Sequence, residues 1–311
     1  MKRIWPTIAC VMMLCGSCAA SGSFATATGE AVGMCLASWA PCVALHQAYG
    51  EYLFQGAIPS APGGLESALR QTQAELQRLL LLLVEQADPP TDSVIASTSL
   101  LEKLGESGYE PIFLRIDEQA HEDPETLLPI LEEAADYGFF VMILEVKEGL
   151  DALVEALLLA FDERSDQYIF SAAFIAEGLL AAPNTAEVDP QWIEALMFLR
   201  DAPVGALPVG AGDAVSRLID LAEAPGQLSS EDWQTIRSEA VRLKASLREV
   251  REEAISDEPS TDQGGNEAIG PSDGHRSDTT TSTRRLTAAI AVGVGLVIVL
   301  GLGVLAAVSS R

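Results

Sequence analysis

The sequence predicts a mostly helical protein with a small βαβ core, an N-terminal signal peptide and one C-terminal transmembrane helix. Three observations support this fold class. Several segments carry apolar residues three and four positions apart, which is typical of helices that bury one face. Short apolar runs alternate with such segments in the middle of the chain, as in a βαβ unit. Both ends of the 311-residue chain are strongly apolar.

The first residues have the layout of a secretory signal peptide, which is predicted over residues 1–20. Two basic residues precede a mostly apolar run over 4–14, and small residues follow that run. The run is too short to cross a bilayer comfortably. Cleavage is expected after Ala20 or after Ala27. A bacterial lipoprotein signal, with Cys18 as the lipidated residue, is the alternative.

Residues 21–64 are predicted to form a helical segment that ends in a linker. The helix is expected over 30–54, where Pro41 interrupts an otherwise moderately apolar pattern. Residues 56–64 concentrate proline, glycine and serine, which is typical of a linker.

The acidic domain is predicted over residues 65–254 and begins with a helix over 65–86. Its middle part mixes strands and helices. Three short apolar runs are the predicted strands: 111–116, 139–146 and 168–175. The third run fits a buried helix equally well. Helices from Asp123 to Gly138 and over 150–161 separate the runs, which gives the βαβ order.

The remainder of the domain is predicted to be helical. The three expected helices cover 190–200, 212–223 and 229–254. The last one carries a seam from Trp233 to Ala254, in which apolar or small residues alternate at spacings of three and four. This seam predicts packing into the domain core, or alternatively a homodimer that associates outside the membrane.

A flexible tether over 255–285 and a transmembrane helix complete the chain. The tether has too few apolar residues to form a core. The transmembrane helix begins at Leu286 and ends at Val308, and none of its residues is charged. It would span about 34 Å, enough to cross the hydrocarbon layer. Small residues four positions apart in it predict lateral dimer contacts, and only a tail, 309–311, follows.

The orientation of the chain has three interpretations. A cleaved signal and a retained transmembrane helix place the bulk outside the cytoplasm, in the secretory pathway, the periplasm or at the cell surface. Exchange of the C-terminal helix for a GPI lipid near Ser277 is the second interpretation. The third is a tail-anchored protein with its bulk in the cytoplasm. It follows from Arg284 and Arg285 before the helix, because positive residues usually mark the cytoplasmic side.

The chain is strongly acidic, with 45 acidic and 19 basic residues. All the acidic residues lie within 21–283, whereas only 14 of the basic residues do. Because nucleic-acid binding needs lysine and arginine against phosphate, this balance excludes that class of protein. It also disfavours adhesion to anionic lipid. Solubility outside the cell is the simplest explanation, with binding of cations or of a basic partner as the alternative.

Two cysteines, Cys35 and Cys42, remain once the signal is removed. An oxidising compartment favours a disulfide between them. On one continuous helix, they would lie about 10 Å apart, which is too far for a sulfur–sulfur bond. A helix broken at Pro41 would let them meet. Two free buried thiols are the alternative.

The loop from Asp117 to Asp123 holds the candidate site. It follows the first predicted strand, the position where α/β proteins bind ligands. Asp117, Glu118 and His121 are the candidate metal ligands, and Glu118 or Glu122 is the candidate base. The alternative is a solvated loop in which Asp123 caps the next helix.

These features predict a single-pass membrane protein that presents an acidic helical domain outside the cytoplasm, in a binding or structural role. No motif identifies a reaction or a cofactor. The glycine-containing segment 209–213 lacks the full phosphate-binding pattern, so it predicts a turn. The alternative function is a metal-assisted hydrolase whose site lies in the loop 117–123.

Overall fold

The structure, a computed structural model, describes residues 21–256 apart from short gaps. These gaps are 57–58, 60, 121–123, 184–187, 204, 209 and 223–227. The predicted signal peptide (1–20), most of the tether and the predicted transmembrane helix (286–308) therefore lie outside the described residues.

The described residues form ten α-helices. In chain order they are α1 Ser21–Gln55, α2 Leu65–Val84, α3 Thr91–Leu104, α4 Glu110–Gln119, α5 Pro124–Asp136, α6 Phe139–Ala160, α7 Arg164–Ala181, α8 Pro190–Arg200, α9 Ala211–Ala222 and α10 Ser230–Ser256.

The predicted βαβ core is wrong, because the described part of the chain contains helices and no strand. The run 111–116 belongs to α4, the run 139–146 opens α6, and the run 168–175 lies inside α7. A continuous apolar run is equally compatible with a buried strand and a helix buried on most sides, so periodicity alone cannot separate them. In α6 the run continues without a break into an amphipathic stretch, which makes one helix of 22 residues.

Several predicted helices are confirmed with ends that shift by a few residues, among them α2, α5, α8, α9 and α10. Pro129 lies inside α5 and does not end it. Gly138 separates α5 from α6, and its φ of +80° is a backbone conformation that glycine adopts without strain.

Helix α1 lies at the centre of the fold, although the sequence analysis set residues 21–64 apart from the domain. It is 35 residues long and continues through Pro41. Its buried side chains belong to the same core as those of the later helices. Trp39 is fully buried there, and its Nε1 donates a hydrogen bond of 3.1 Å to the carbonyl of Ile143 in α6.

Two glycines let α1 lie directly against the backbone of α7. A Cβ added at Gly29 would lie 2.5 Å from the carbonyl oxygen of Phe170, and one added at Gly33 would lie 2.4 Å from that of Phe174. Real side chains do not come this close, so only glycine permits the contact. Since the contacts advance together along both helices, α1 and α7 run parallel.

Helix α10 packs against α7 in the opposite direction. Lys244 forms an ion pair with Glu177, and Arg237 donates to the carbonyl of Ala182, near the end of α7. The predicted seam of α10 faces inward, and its described members are buried: Trp233, Ile236, Ala240, Leu243 and Leu247. The seam therefore packs into the domain core, the first of its two predicted roles.

The part of α1 from Ser23 to Gln55 is long and apolar enough to be a membrane span or a signal sequence. No other helix among the described residues meets this criterion. Within the most apolar window, 67% of the helix is buried inside the protein. Such burial is typical of the core helix of a globular domain, where the apolar face is covered by other helices.

Both cysteines of α1 are free and buried. Because α1 stays helical through Pro41, Cys35 and Cys42 remain two turns apart and form no disulfide. The structure therefore has two free buried thiols, the predicted alternative to the disulfide. Burial raises the pKa of each of these two thiols well above the usual range for cysteine. The reactive thiolate is therefore disfavoured in the folded protein.

We expect Cys35 and Cys42 to resist iodoacetamide in the folded protein, even without a reductant. After unfolding in urea, again without a reductant, both should be alkylated completely because neither is in a disulfide. Peptide mass spectrometry measures each site separately. A mass corresponding to a linked Cys35–Cys42 peptide in the unreduced sample would contradict the prediction.

Candidate functional site

Asp117, the first residue of the predicted metal site, caps helix α2. Its two carboxylate oxygens accept hydrogen bonds from the backbone N–H groups of Leu65, at 2.9 Å, and of Glu66, at 2.7 Å. The residue at the N-cap of α2 is Gly64, which has no side chain to do this. Asp117 in α4 therefore supplies the missing cap from 52 residues away, and its charge is favourable at the positive end of the α2 dipole.

The remaining residues of the predicted metal site do not join Asp117 in a ligand cluster. Glu118 is exposed, and His121, Glu122 and Asp123 lie outside the described residues. No group of three or more His, Cys, Asp or Glu side chains in the described part of the chain is placed to hold a metal. Both oxygens of Asp117 are already engaged with the backbone, which favours a structural role for this carboxylate.

We expect Asp117→Ala to lower the free energy of unfolding by about 1–2 kcal/mol, the usual cost of losing a helix cap. Asp117→Asn should cost less, because its amide oxygen still accepts one of the two bonds. Urea unfolding followed by circular dichroism measures both variants. The control is Glu118→Ala, an exposed neighbour expected to change stability by less than about 0.5 kcal/mol. Equal losses for Asp117→Ala and Glu118→Ala would contradict the capping role.

A charged cleft lies between α9 and α10. Glu239 is buried with 5% of its surface exposed, and its Oε1 accepts from Arg217 at 3.1 Å and from Arg242 at 3.2 Å. The adjoining cavity has a volume of about 310 Å³ and reaches Gly210 and Asp213 at the start of α9. Both arginines are paired with the buried acid, so the cluster joins α9 to α10.

A second cleft, of about 210 Å³, lies between α1, α7 and α10. Its charged walls are Glu30, Glu177, Lys244 and Arg248. Lys244 pairs with Glu177, and Glu30 pairs with Arg78 of α2 at 3.4 Å.

Of the predicted turn 209–213, only Gly210 is a turn among the described residues, because residues 211–213 already belong to α9. Gly210 has a φ of +88°, and α9 begins at the next residue. Val209 lies outside the described residues.

The chain matches no protein-family model, no curated protein and no solved structure.

Sequence reasoning missed two arrangements of charged residues. Asp117 was predicted as a metal ligand and not as the cap of α2, whose own N-cap residue, Gly64, has no side chain to accept a hydrogen bond. Sequence reasoning also gave no role to Glu239, which lies on the buried side of an otherwise polar helix. Its position three residues after Ile236 and one before Ala240 places it beside the apolar seam.

Proposed function

We propose that this protein is anchored in a membrane by its segment from Leu286 to Val308 and presents its acidic helical domain outside the cytoplasm. Its role there is to bind or to support a partner. The proposal rests on the sequence features at the two ends of the chain and on one observation about the helices that adjoin them.

That observation is the direction of α1 and α10. Since α1 is parallel to α7 and α10 is antiparallel to α7, α1 and α10 run in opposite directions. The first turns of α1 and the last turns of α10 meet at the cleft that contains Thr26 and Arg248. The chain therefore enters and leaves the domain at one end. This geometry suits a domain whose signal peptide and anchor both lie on the same membrane.

The position of α1 also favours one of the two predicted cleavage sites. Ala25 is fully buried in the core, and Phe24 packs against Phe161 with ring centroids 5.9 Å apart. Cleavage after Ala27 would remove these contacts, whereas cleavage after Ala20 leaves α1 whole. The mature protein is therefore proposed to begin at Ser21.

The hydrolase alternative gains no support from the described residues, because Asp117 is a helix cap. A homodimer through the seam of α10 would require Trp233 and Leu243 to leave the core, where both are buried. If the protein dimerises, the small residues in the segment from Leu286 to Val308 are the better candidates.

Topology tests the proposal directly. We expect mass spectrometry of the mature protein to find Ser21 at the N-terminus, and protease added to intact cells to digest the domain. An intact Met1 with a protected domain would support the tail-anchored orientation and contradict the proposal.

Two variants make the result specific to the two ends. Val11→Arg interrupts the apolar run of the signal, so it should keep the chain unprocessed and protected from external protease. Removal of residues 286–311 should release the processed domain into the soluble extracytoplasmic fraction. Retention of this shortened chain in the membrane would contradict the anchoring role of the segment.

A further inference from the structure

The far end of α1 carries large apolar side chains that no described residue covers. Leu53 and Phe54 are 64% and 89% exposed. They lie beyond Tyr49, whose ring stacks on Phe140 of α6 with centroids 4.2 Å apart. Leu53 follows Tyr49 by one turn, so it extends the same face of the helix.

Helix α6 also carries exposed apolar side chains close to Phe140, the residue that packs on Tyr49 of α1. Val141 follows Phe140 directly and is 61% exposed, and Leu144 lies one turn after Phe140 and is 38% exposed. We call Leu53, Phe54, Val141 and Leu144 the distal patch. These side chains belong to two helices that are joined by the stacked pair Tyr49 and Phe140.

Unpaired carboxylates border the distal patch. Glu132 and Asp136 of α5 lie close enough to Tyr49 to help raise the pKa of its hydroxyl, after the larger effect of burial. Glu51 precedes Phe54 by three positions on α1, so it lies on the same side of the helix as Phe54. All three carboxylates are exposed, and none forms an ion pair with a residue that the structure describes.

The sign of these charges decides what can cover the patch. A second copy would bring acidic residues against acidic residues, and an anionic lipid surface would be repelled in the same way. A segment that is apolar on one face and basic on the other can cover the exposed apolar side chains and also pair with the carboxylates beside them. Its apolar side chains would cover Leu53 and Phe54, and its lysine or arginine side chains would pair with Glu132 and Asp136.

We propose that the distal patch binds a basic amphipathic helix of a partner protein. The patch lies at the opposite end of α1 from Ser21, and a helix of 35 residues is about 52 Å long. The orientation of the patch away from the membrane rests on the proposed function. The binding chemistry of the patch does not depend on the proposed function.

The test uses the full-length chain in phosphatidylcholine nanodiscs and a fluorescent model peptide of leucine and lysine that forms an amphipathic helix. We expect fluorescence anisotropy to report binding that weakens as salt is added. Leu53→Ser combined with Phe54→Ser should weaken binding about tenfold or more, because these are the most exposed apolar anchors. Glu132→Gln combined with Asp136→Asn should weaken binding and reduce its dependence on salt.

The matched control is Leu159→Ser, which changes an equally accessible leucine, 77% exposed, at the other end of α6. It should leave binding unchanged. A second peptide of the same composition, with its residues rearranged so that no apolar face forms, should bind weakly. Since all the substituted side chains are exposed, thermal unfolding of the variants should match that of the unaltered protein.

Four results would overturn the proposal: no binding, equal loss in Leu159→Ser, equal binding of the rearranged peptide, or self-association through Phe54. Analytical ultracentrifugation without peptide detects the last of these. Failure of the proposed function appears separately, in the topology experiment. A cytoplasmic domain that still binds the peptide through Phe54 would remove the export proposal and leave this one standing.

Discussion

Replacing Gly33 with alanine is expected to lower the free energy of unfolding by about 2 kcal/mol, within the range seen for overpacked cores. The new Cβ would lie 2.4 Å from the carbonyl oxygen of Phe174 and 3.0 Å from the backbone nitrogen of Gly178. Both atoms belong to the backbone of α7, so no flexible side chain can move aside. The two helices would have to separate, which would loosen the contacts at the centre of the fold.

Gly50 provides a matched control on the same helix. A Cβ added there meets nothing within 4 Å. Gly50→Ala should therefore raise the free energy of unfolding by about 0.5–1 kcal/mol, because alanine is the better helix former. Urea unfolding followed by circular dichroism measures both variants. A gain in stability for both would show that α1 and α7 are not in backbone contact at Gly33.

Trp39→Ala is expected to have the largest effect of any single substitution considered, a loss of about 3–5 kcal/mol. Trp39 is fully buried, its ring lies 6.0 Å from that of Phe113, and its Nε1 donates to the carbonyl of Ile143. Truncation leaves a large cavity where α1, α4 and α6 meet. The same urea unfolding experiment measures the loss.

Two further variants separate the causes of this loss. Trp39→Phe keeps most of the ring volume and removes the donor, so it should cost less than Trp39→Ala. Phe54→Ala removes an aromatic side chain from an exposed position of the same helix, and it should change stability by less than about 0.5 kcal/mol. A comparable loss in Trp39→Ala and Phe54→Ala would contradict the central position of Trp39.

The helices that sequence analysis predicted are those in which polar residues mark the exposed face. In α10, charged residues separate the apolar residues of the seam from Trp233 onward. The spacing of three and four residues that is typical of a helix is therefore visible in the sequence. The start of α6 has no polar residue before Glu145, so its helical period cannot be seen and a strand fits as well. Helix α3 received no prediction, since Ser93 and Ser97 occupy buried positions that a pattern of apolar residues does not include.

The candidate site shows a different limit. An aspartate in an acidic loop is compatible with a metal ligand, a helix cap or a solvated charge, and only its partners distinguish these roles. The partners of Asp117 are the N–H groups of Leu65 and Glu66, which are distant in sequence. The missing side chain of Gly64 was visible in the sequence. Which residue would replace it depends on how α4 packs against α2, and periodicity carries no information about that.

The parallel contact between α1 and α7 has a consequence for the order of events during synthesis. The glycine face of α1 meets its partner only after about 140 further residues have been made, which takes roughly 7 to 28 s at ordinary rates of translation. Until then Gly29 and Gly33 face no native neighbour, and contacts so distant along the chain form late. The emerging N-terminal half therefore cannot complete its core until α7 has been made.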